Sequence, residues 1–247
     1  MSKKMLLIAA TILLAFSARA ADLSVDEIIS KVQANQDKIQ DLYAETTTTM
    51  TTDLAMPGQE RSGPQKNVQK ARLWAKGADK TKTEVLSPTK QITITNGDRL
   101  AVIDPVSGQK TVQDLKKKSG TLAAGGQMTL EKAKEFFYFS VRQTAAASAE
   151  GGAAYIITGV PKQRNQFMGK IEFYVGGKSW LPAKIMIYDP KSKPMTQTEL
   201  EYSSIDNVYV PLKNRSVVSS PLGKMEVAVE YDAVKINRGI SDDEFKI

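Results

Sequence analysis

The chain has 247 residues, with 34 Lys plus Arg against 27 Asp plus Glu for a formal charge of +7, and it contains neither histidine nor cysteine. Those two absences remove Ser-His and Cys-His nucleophile pairs, an imidazole proton shuttle, zinc sites of N and S ligands, and disulfides. The basic residues alternate with apolar ones instead of gathering on one segment, so nucleic acid is not an expected partner. No cofactor, metal or catalytic residue is expected.

Lys3 and Lys4 precede an apolar run from Met5 to Phe16, and Ser17 to Ala21 supply small residues around a cleavage site. This is the three-part pattern of a secretory signal, with cleavage expected after Ala20. The run is too short to span a hydrocarbon layer of about 30 Å. Residues 1–20 are therefore read as a signal peptide, and residues 21–247 as one exported domain with no cysteine to carry a lipid anchor.

Ser24 followed by Glu27 forms a capping box, and Val25, Ile28, Ile29, Val32, Ile39 and Leu42 recur at helical spacing, which predicts a helix over 24–42. Thr46 to Thr52 reads as a strand, and Met56 to Pro64 as a loop. From Val68 to Leu115 the chain reads as a meander of short strands, with Asn96-Gly97 between Ile92/Ile94 and Leu100/Val102 as its strongest hairpin signal. Lys116 to Lys118 and the small residues Gly120 to Gly126 interrupt it. Thr129 then caps a second predicted helix, with Leu130, Ala133, Phe136, Phe137 and Val141 on one side, flanked by the plain stretch Ala145 to Gly152. These features read as a hinged helical lid, although the same Phe136/Phe137 stripe would serve as plain core.

Strands resume at Tyr155–Val160, Met168–Val175, Trp180–Tyr188, Met195–Tyr202, Val208–Ser219 and Lys224–Ile236, with clean alternation of wet and dry positions. About ten or eleven strands with two helices predict a mainly β fold: an unclosed antiparallel barrel whose dry side the helices cover. Asp242, Asp243 and Glu244 read as a solvated tail. Glu199 and Glu201 share a face with Gln197 and read as a wet strand surface, not a catalytic pair.

The order of signal, capped helix, Thr-rich strand, Leu73-Trp74-Ala75-Lys76, Ile94-Thr95-Asn96-Gly97-Asp98 and Asp104-Pro105 resembles the LolA-like periplasmic lipoprotein carriers, also called outer-membrane lipoprotein-sorting proteins. Trp180-Leu181-Pro182-Ala183 and the closing run from Gly239 to Phe245 extend the resemblance over nearly all of the exported chain. It implies a half-barrel that takes up acyl chains of a lipoprotein or lipid in the periplasm without catalysis. An inner-membrane transporter and an outer-membrane acceptor are the implied partners. The Arg-Pro pair that commonly follows L-W-x-K in that family, and is tied there to cargo release, is Gly77-Ala78 here, so that release mechanism does not carry over.

Strand parity assigns Trp74, Ile92, Ile94, Leu100, Val102, Phe173, Ile185, Ile187, Leu200, Val227 and Val229 to the lipid-binding concave face, with Phe136 and Phe137 on the lid. Met50, Met128, Met168, Met186, Met195 and Met225 are adaptable side chains for an irregular ligand or for core gaps alike. A sensor or assembly module of the same fold that binds a regulatory protein is the alternative. Relatives of that type carry a second domain, whereas this chain stops at Ile247 after the closing run.

Overall fold

The computed structural model describes residues 23–54, 63–115, 133–144 and 154–247. The predicted signal, Met56, Lys116 to Lys118, the Gly- and Ala-rich stretch, Met128 to Leu130 and Ala145 to Gly152 lie outside the described residues.

Among the described residues one α-helix, α1 (Val25–Gln36), is followed by thirteen strands: β1 (Asp41–Leu54), β2 (Gln65–Lys76), β3 (Lys80–Ser87), β4 (Gln91–Asn96), β5 (Arg99–Ile103), β6 (Lys110–Asp114), β7 (Phe137–Thr144), β8 (Ala154–Pro161), β9 (Lys170–Gly176), β10 (Pro182–Tyr188), β11 (Pro194–Ile205), β12 (Val208–Ser220) and β13 (Gly223–Ile236). They form a single sheet in the order β6-β5-β4-β3-β2-β1-β13-β12-β11-β10-β9-β8-β7. Every pairing is antiparallel. β6 and β7 are not paired to each other, so the barrel is unclosed, as the strand pattern predicts. The two halves of the chain are two meanders joined along one seam, β1 on β13, with Leu42 opposite Ile236 and Met50 opposite Val227. Register shifts at Tyr43/Glu45, Lys70/Ala71, Ile187/Tyr188 and Glu201/Tyr202 add local twist, which helps so wide a sheet to curl.

Three elements differ from expectation. The capping box is present, with the Glu27 N–H donating to Ser24 Oγ at 3.2 Å and the Ser24 N–H donating to Glu27 Oε2 at 2.7 Å. The helix nevertheless ends at Gln36 and not at Leu42, because the run from Gln33 to Lys38 has no large apolar side chain to bury against the sheet and Asp41 already pairs with Lys76. The strand count is thirteen instead of about ten or eleven. Part of the excess is β7: Phe137 and Val141 lie on a strand, not on a helical lid, since Phe137, Phe139 and Val141 satisfy a period of two as well as a helical one.

α1 lies on one face of the sheet, here called the inner face. Ile28, Ile29 and Val32 are fully buried against Tyr155, Ile157 and Val175, with Phe139, Val141, Phe173 and Trp180 around them. Each such side chain contributes about 1.5–3 kcal/mol by leaving water. The helix is also pinned at the β9–β10 turn, where Asn35 Nδ2 donates to the Ser179 carbonyl and Lys31 Nζ sits 4.8 Å from the Trp180 ring centre. Trp180 itself stacks on Tyr155 at 5.6 Å. A second inner cluster, Leu42, Ala44, Val210 and Ile236 with Ile39 and Leu73, closes the rim where β1 begins.

Gly159 is required where Phe139 crosses β8: a Cβ there would stand 2.6 Å from Phe139 Cε1 and 3.0 Å from Ile171 Cγ2.

Candidate hydrocarbon-binding face

Antiparallel register turns the sequence into two surfaces of opposite character. One row runs Val141, Ile157, Phe173, Ile185, Thr198, Ser216, Val227, Met50, Asn67 across nine strands. The next row on the other surface runs Arg142, Ile156, Tyr174, Lys184, Glu199, Arg215, Ala228, Thr49, Val68. The first row belongs to the inner face, the second to the outer. Adjacent inner rows add Ile171, Ile187, Thr196, Val218 and Met225 on one side, and Leu200, Asn214, Val229, Thr48 and Gln69 on the other. Among the described strand residues these rows are apolar or neutral polar, with no ionisable group.

The charges go outside. Arg215 Nε and Nη2 donate to the two Glu226 carboxylate oxygens at 2.7 and 2.8 Å. That contact holds the Glu226 carboxyl below its ordinary value. Lys213 pairs with Glu230 at 3.0 Å. Glu199 and Glu201 sit opposite Arg215 and Lys213 on this exposed surface.

The predicted lining divides between the two surfaces. Phe173, Ile185, Ile187, Leu200, Val227 and Val229 are on the inner face, as are Leu100 and Val102, which pair with Thr95 and Thr93. Trp74, Ile92 and Ile94 are on the outer face, and their assignment to the lining is corrected. The reason is arithmetic: Asn96 pairs with Arg99 across a two-residue loop, so even-numbered β4 residues share a face with odd-numbered β5 residues. Ile94 therefore faces with Ala101 and Ile92 with Ile103. Phe137 is buried on the inner face at the start of β7, 5.9 Å from Phe139, while Phe136 stands exposed just before it. The methionines also divide: Met50 and Met225 are inside, and Met186 is buried outside.

The outer position of Trp74 and Ile94 has a purpose missed in the sequence. The closing segment folds back as a short 3-10 turn, Asp242–Phe245, and fully buries Phe245 against Ile94, Ala101, Trp74 and Ile103. Asp242 lies 3.0 and 2.9 Å from Lys76 and Lys80, and Glu244 lies 2.6 Å from Lys82. The acidic tail is thus docked, not free. Its readable signal is the aromatic residue after three acids, opposite a hairpin that carries Lys76 at the end of β2 and Lys80 and Lys82 at the start of β3.

On the inner face near the ends of β1 to β4 a groove of about 400 Å³ is walled by Thr48, Met50, Asn67, Gln69, Val85 and Gln91, with Pro88, Thr89, Lys90 and Asp104 at its mouth. That volume is at the low end of ligand clefts. Its strand walls mix apolar and neutral polar groups, and its charged lining residues are Lys90 and Asp104, in the β3–β4 and β5–β6 connections.

The sequence matches no protein-family model and no curated protein. Solved structures do match. A LolA superfamily protein from Nitrosomonas europaea aligns with a TM-score of 0.58 and 14% identity over 91% of this chain and 98% of its own. A DUF1329 family protein from Desulfovibrio piger aligns at 0.61 and 15% identity, over 90% and 97%. An outer membrane lipoprotein-sorting protein domain from Vibrio parahaemolyticus aligns at 0.58 and 12% identity, also over 90% and 97%. With its open antiparallel sheet and its helix on one face, the chain has the LolA-like fold.

Proposed function

We propose that this protein is an exported, periplasmic carrier that holds the acyl chains of a lipoprotein or lipid against its uncharged inner face and moves them between membranes without catalysis. The observation that carries this reading is the partition of the sheet: ionisable side chains sit on the outer face while inner rows from β7 to β2 remain neutral. A sixteen-carbon chain in water is opposed by roughly 12 kcal/mol, at about 0.8 kcal/mol per methylene. Passage from bilayer to an apolar protein face removes most of that barrier, and no reactive group is needed. Residues 21–247 act as one domain in this scheme, receiving cargo from an inner-membrane donor and delivering it to an outer-membrane acceptor. The likeness to a lipoprotein-sorting domain supports the cargo class through fold alone.

Native mass spectrometry of protein purified from cells, together with titration of a fluorescent fatty acid, tests the reading. Copurified lipid and saturable probe binding are expected. Lipid-free protein that leaves the probe in water would overturn it.

A further inference from the structure

The connections of the sheet alternate between two rims. One rim gathers the residues just before β7 and the β8–β9, β10–β11, β12–β13, β3–β4 and β5–β6 connections. On it stand Phe136, Phe167, Leu222 and Val106, which are 51, 69, 51 and 80% exposed. Three of these tips are held in place by the side chain two residues earlier. Asn165 Oδ1 accepts from the Phe167 N–H at 2.8 Å, Asp104 Oδ1 from the Val106 N–H at 2.8 Å, and Ser220 Oγ from the Leu222 N–H at 3.2 Å. Such turns present the apolar side chain with little ordering left to do on binding.

The same connections carry Lys90, Lys162, Arg164, Lys191 and Lys193, all exposed. Of the acids beside them, Glu135 is exposed, and the other two are engaged within their own loops. Asp104 accepts from Ser107 Oγ at 2.6 Å, and Asp189 accepts from the backbone N–H groups of Lys191 and Lys193 at 2.8 Å each. The opposite rim leans the other way among the described residues, with Asp37, Asp79, Asp98 and Asp206 against Lys38 and Lys178 in its connections, and Asp242, Asp243 and Glu244 against Arg238 and Lys246 in the closing segment.

We propose that the basic rim docks on an anionic lipid bilayer, with Phe136, Phe167, Leu222 and Val106 entering the headgroup boundary and the lysines and Arg164 meeting the headgroups. Single apolar side chains on separate turns do not make the contiguous patch that a protein partner would cover. They suit a fluid apolar layer under a charged surface, which each tip meets independently. Lys90 and Asp104 of this rim also stand at the mouth of the inner groove, so the bilayer would lie where that face opens. In that respect the proposal rests on the carrier reading.

Flotation of the purified protein with vesicles of phosphatidylcholine alone, and of phosphatidylcholine mixed with phosphatidylglycerol, tests it. The protein should float with the mixed vesicles only. The triple variant F167S/V106S/L222S and the variant K162E/R164E/K191E/K193E should each lose at least about tenfold in vesicle affinity, since both apolar insertion and charge contribute. Thermal melting and fatty-acid binding in solution should stay as in the parent. Absence of flotation with anionic vesicles, equal flotation with both compositions, or full retention by both variants overturns the proposal, as does self-association through this rim in place of vesicle binding. If flotation follows the expected pattern while the fatty acid does not bind, the carrier reading falls and the docking stands.

Discussion

Glu172 shows how a single outer-face residue is tuned by its strand neighbours. It is buried, yet Lys170 Nζ donates to it at 2.7 Å and the Tyr174 and Tyr188 hydroxyls donate at 3.0 and 2.9 Å. Burial alone would push its carboxyl up, but the bonds from Lys170, Tyr188 and Tyr174 together outweigh burial and hold it below the ordinary value. Burial and the bond to Glu172 push the Tyr188 hydroxyl up in turn. Because the folded carboxyl titrates lower than the unfolded one, its stabilisation is fully present above about pH 4.3 and is lost as pH falls through the folded value. Glu172→Gln should therefore cost about 1–3 kcal/mol near neutrality, by leaving donors unmatched in a buried place. Urea titrations across the acid range should show the difference between parent and variant shrinking below about pH 4. A constant difference at all pH values would contradict the assignment. Lys170, Glu172 and Tyr174 are legible in the sequence as alternating wet positions of one strand, but Tyr188 is not, because it reaches Glu172 from β10, where it stands opposite Lys170 in a pairing the local sequence does not announce.

At the scale of elements, the closing turn and α1 are local segments whose hold comes from the sheet. In the tail, Phe245 is fully buried while Asp242 is mostly exposed, so the physical weight lies on the aromatic ring. Phe245→Ala should cost about 3–5 kcal/mol, the range for truncating a buried ring. It should also shift Trp74 emission to the red, because the ring covers the indole's cluster. Asp242→Asn should leave the melting temperature nearly unchanged, since its ion pairs with Lys76 and Lys80 are exposed to solvent. Equal losses in the two variants, measured by denaturant unfolding, would mean that the charges and not the ring hold the tail. The start of α1 was legible because a capping box is a local chemical signature. Its end was not, because Ile39 and Leu42 fit a helical period while belonging to the inner cluster beside Ile236. The Phe137–Val141 stretch misled for the same reason: short apolar runs satisfy both periods until a partner strand chooses between them.

For the whole molecule, the half-barrel and the segregation of charge were legible because they follow from strand alternation repeated many times. The pairing of the first strand with the last was not, since β1 and β13 meet across most of the chain length and local sequence carries no trace of it. The parity of each hairpin was equally hidden, as it depends on counting the loop residues that leave Ile94 outside and Leu100 inside. Val227 and Ala228 turn that parity into a test, being neighbours in one strand that point to opposite surfaces. Val227 lies between Ser216 and Met50 on the inner face, and Ala228 lies between Arg215 and Thr49 on the outer. A carboxylate placed inside must remain solvated when hydrocarbon arrives or be buried unpaired, either of which opposes binding by several kcal/mol. The same carboxylate placed outside meets Arg215 and costs the ligand nothing. Val227→Glu should thus weaken fatty-acid binding by more than about tenfold, and Ala228→Glu should leave it unchanged, with both variants folded by circular dichroism. If the two substitutions weaken binding alike, the ligand does not distinguish the faces, and the neutrality of the inner surface is a property of folding alone.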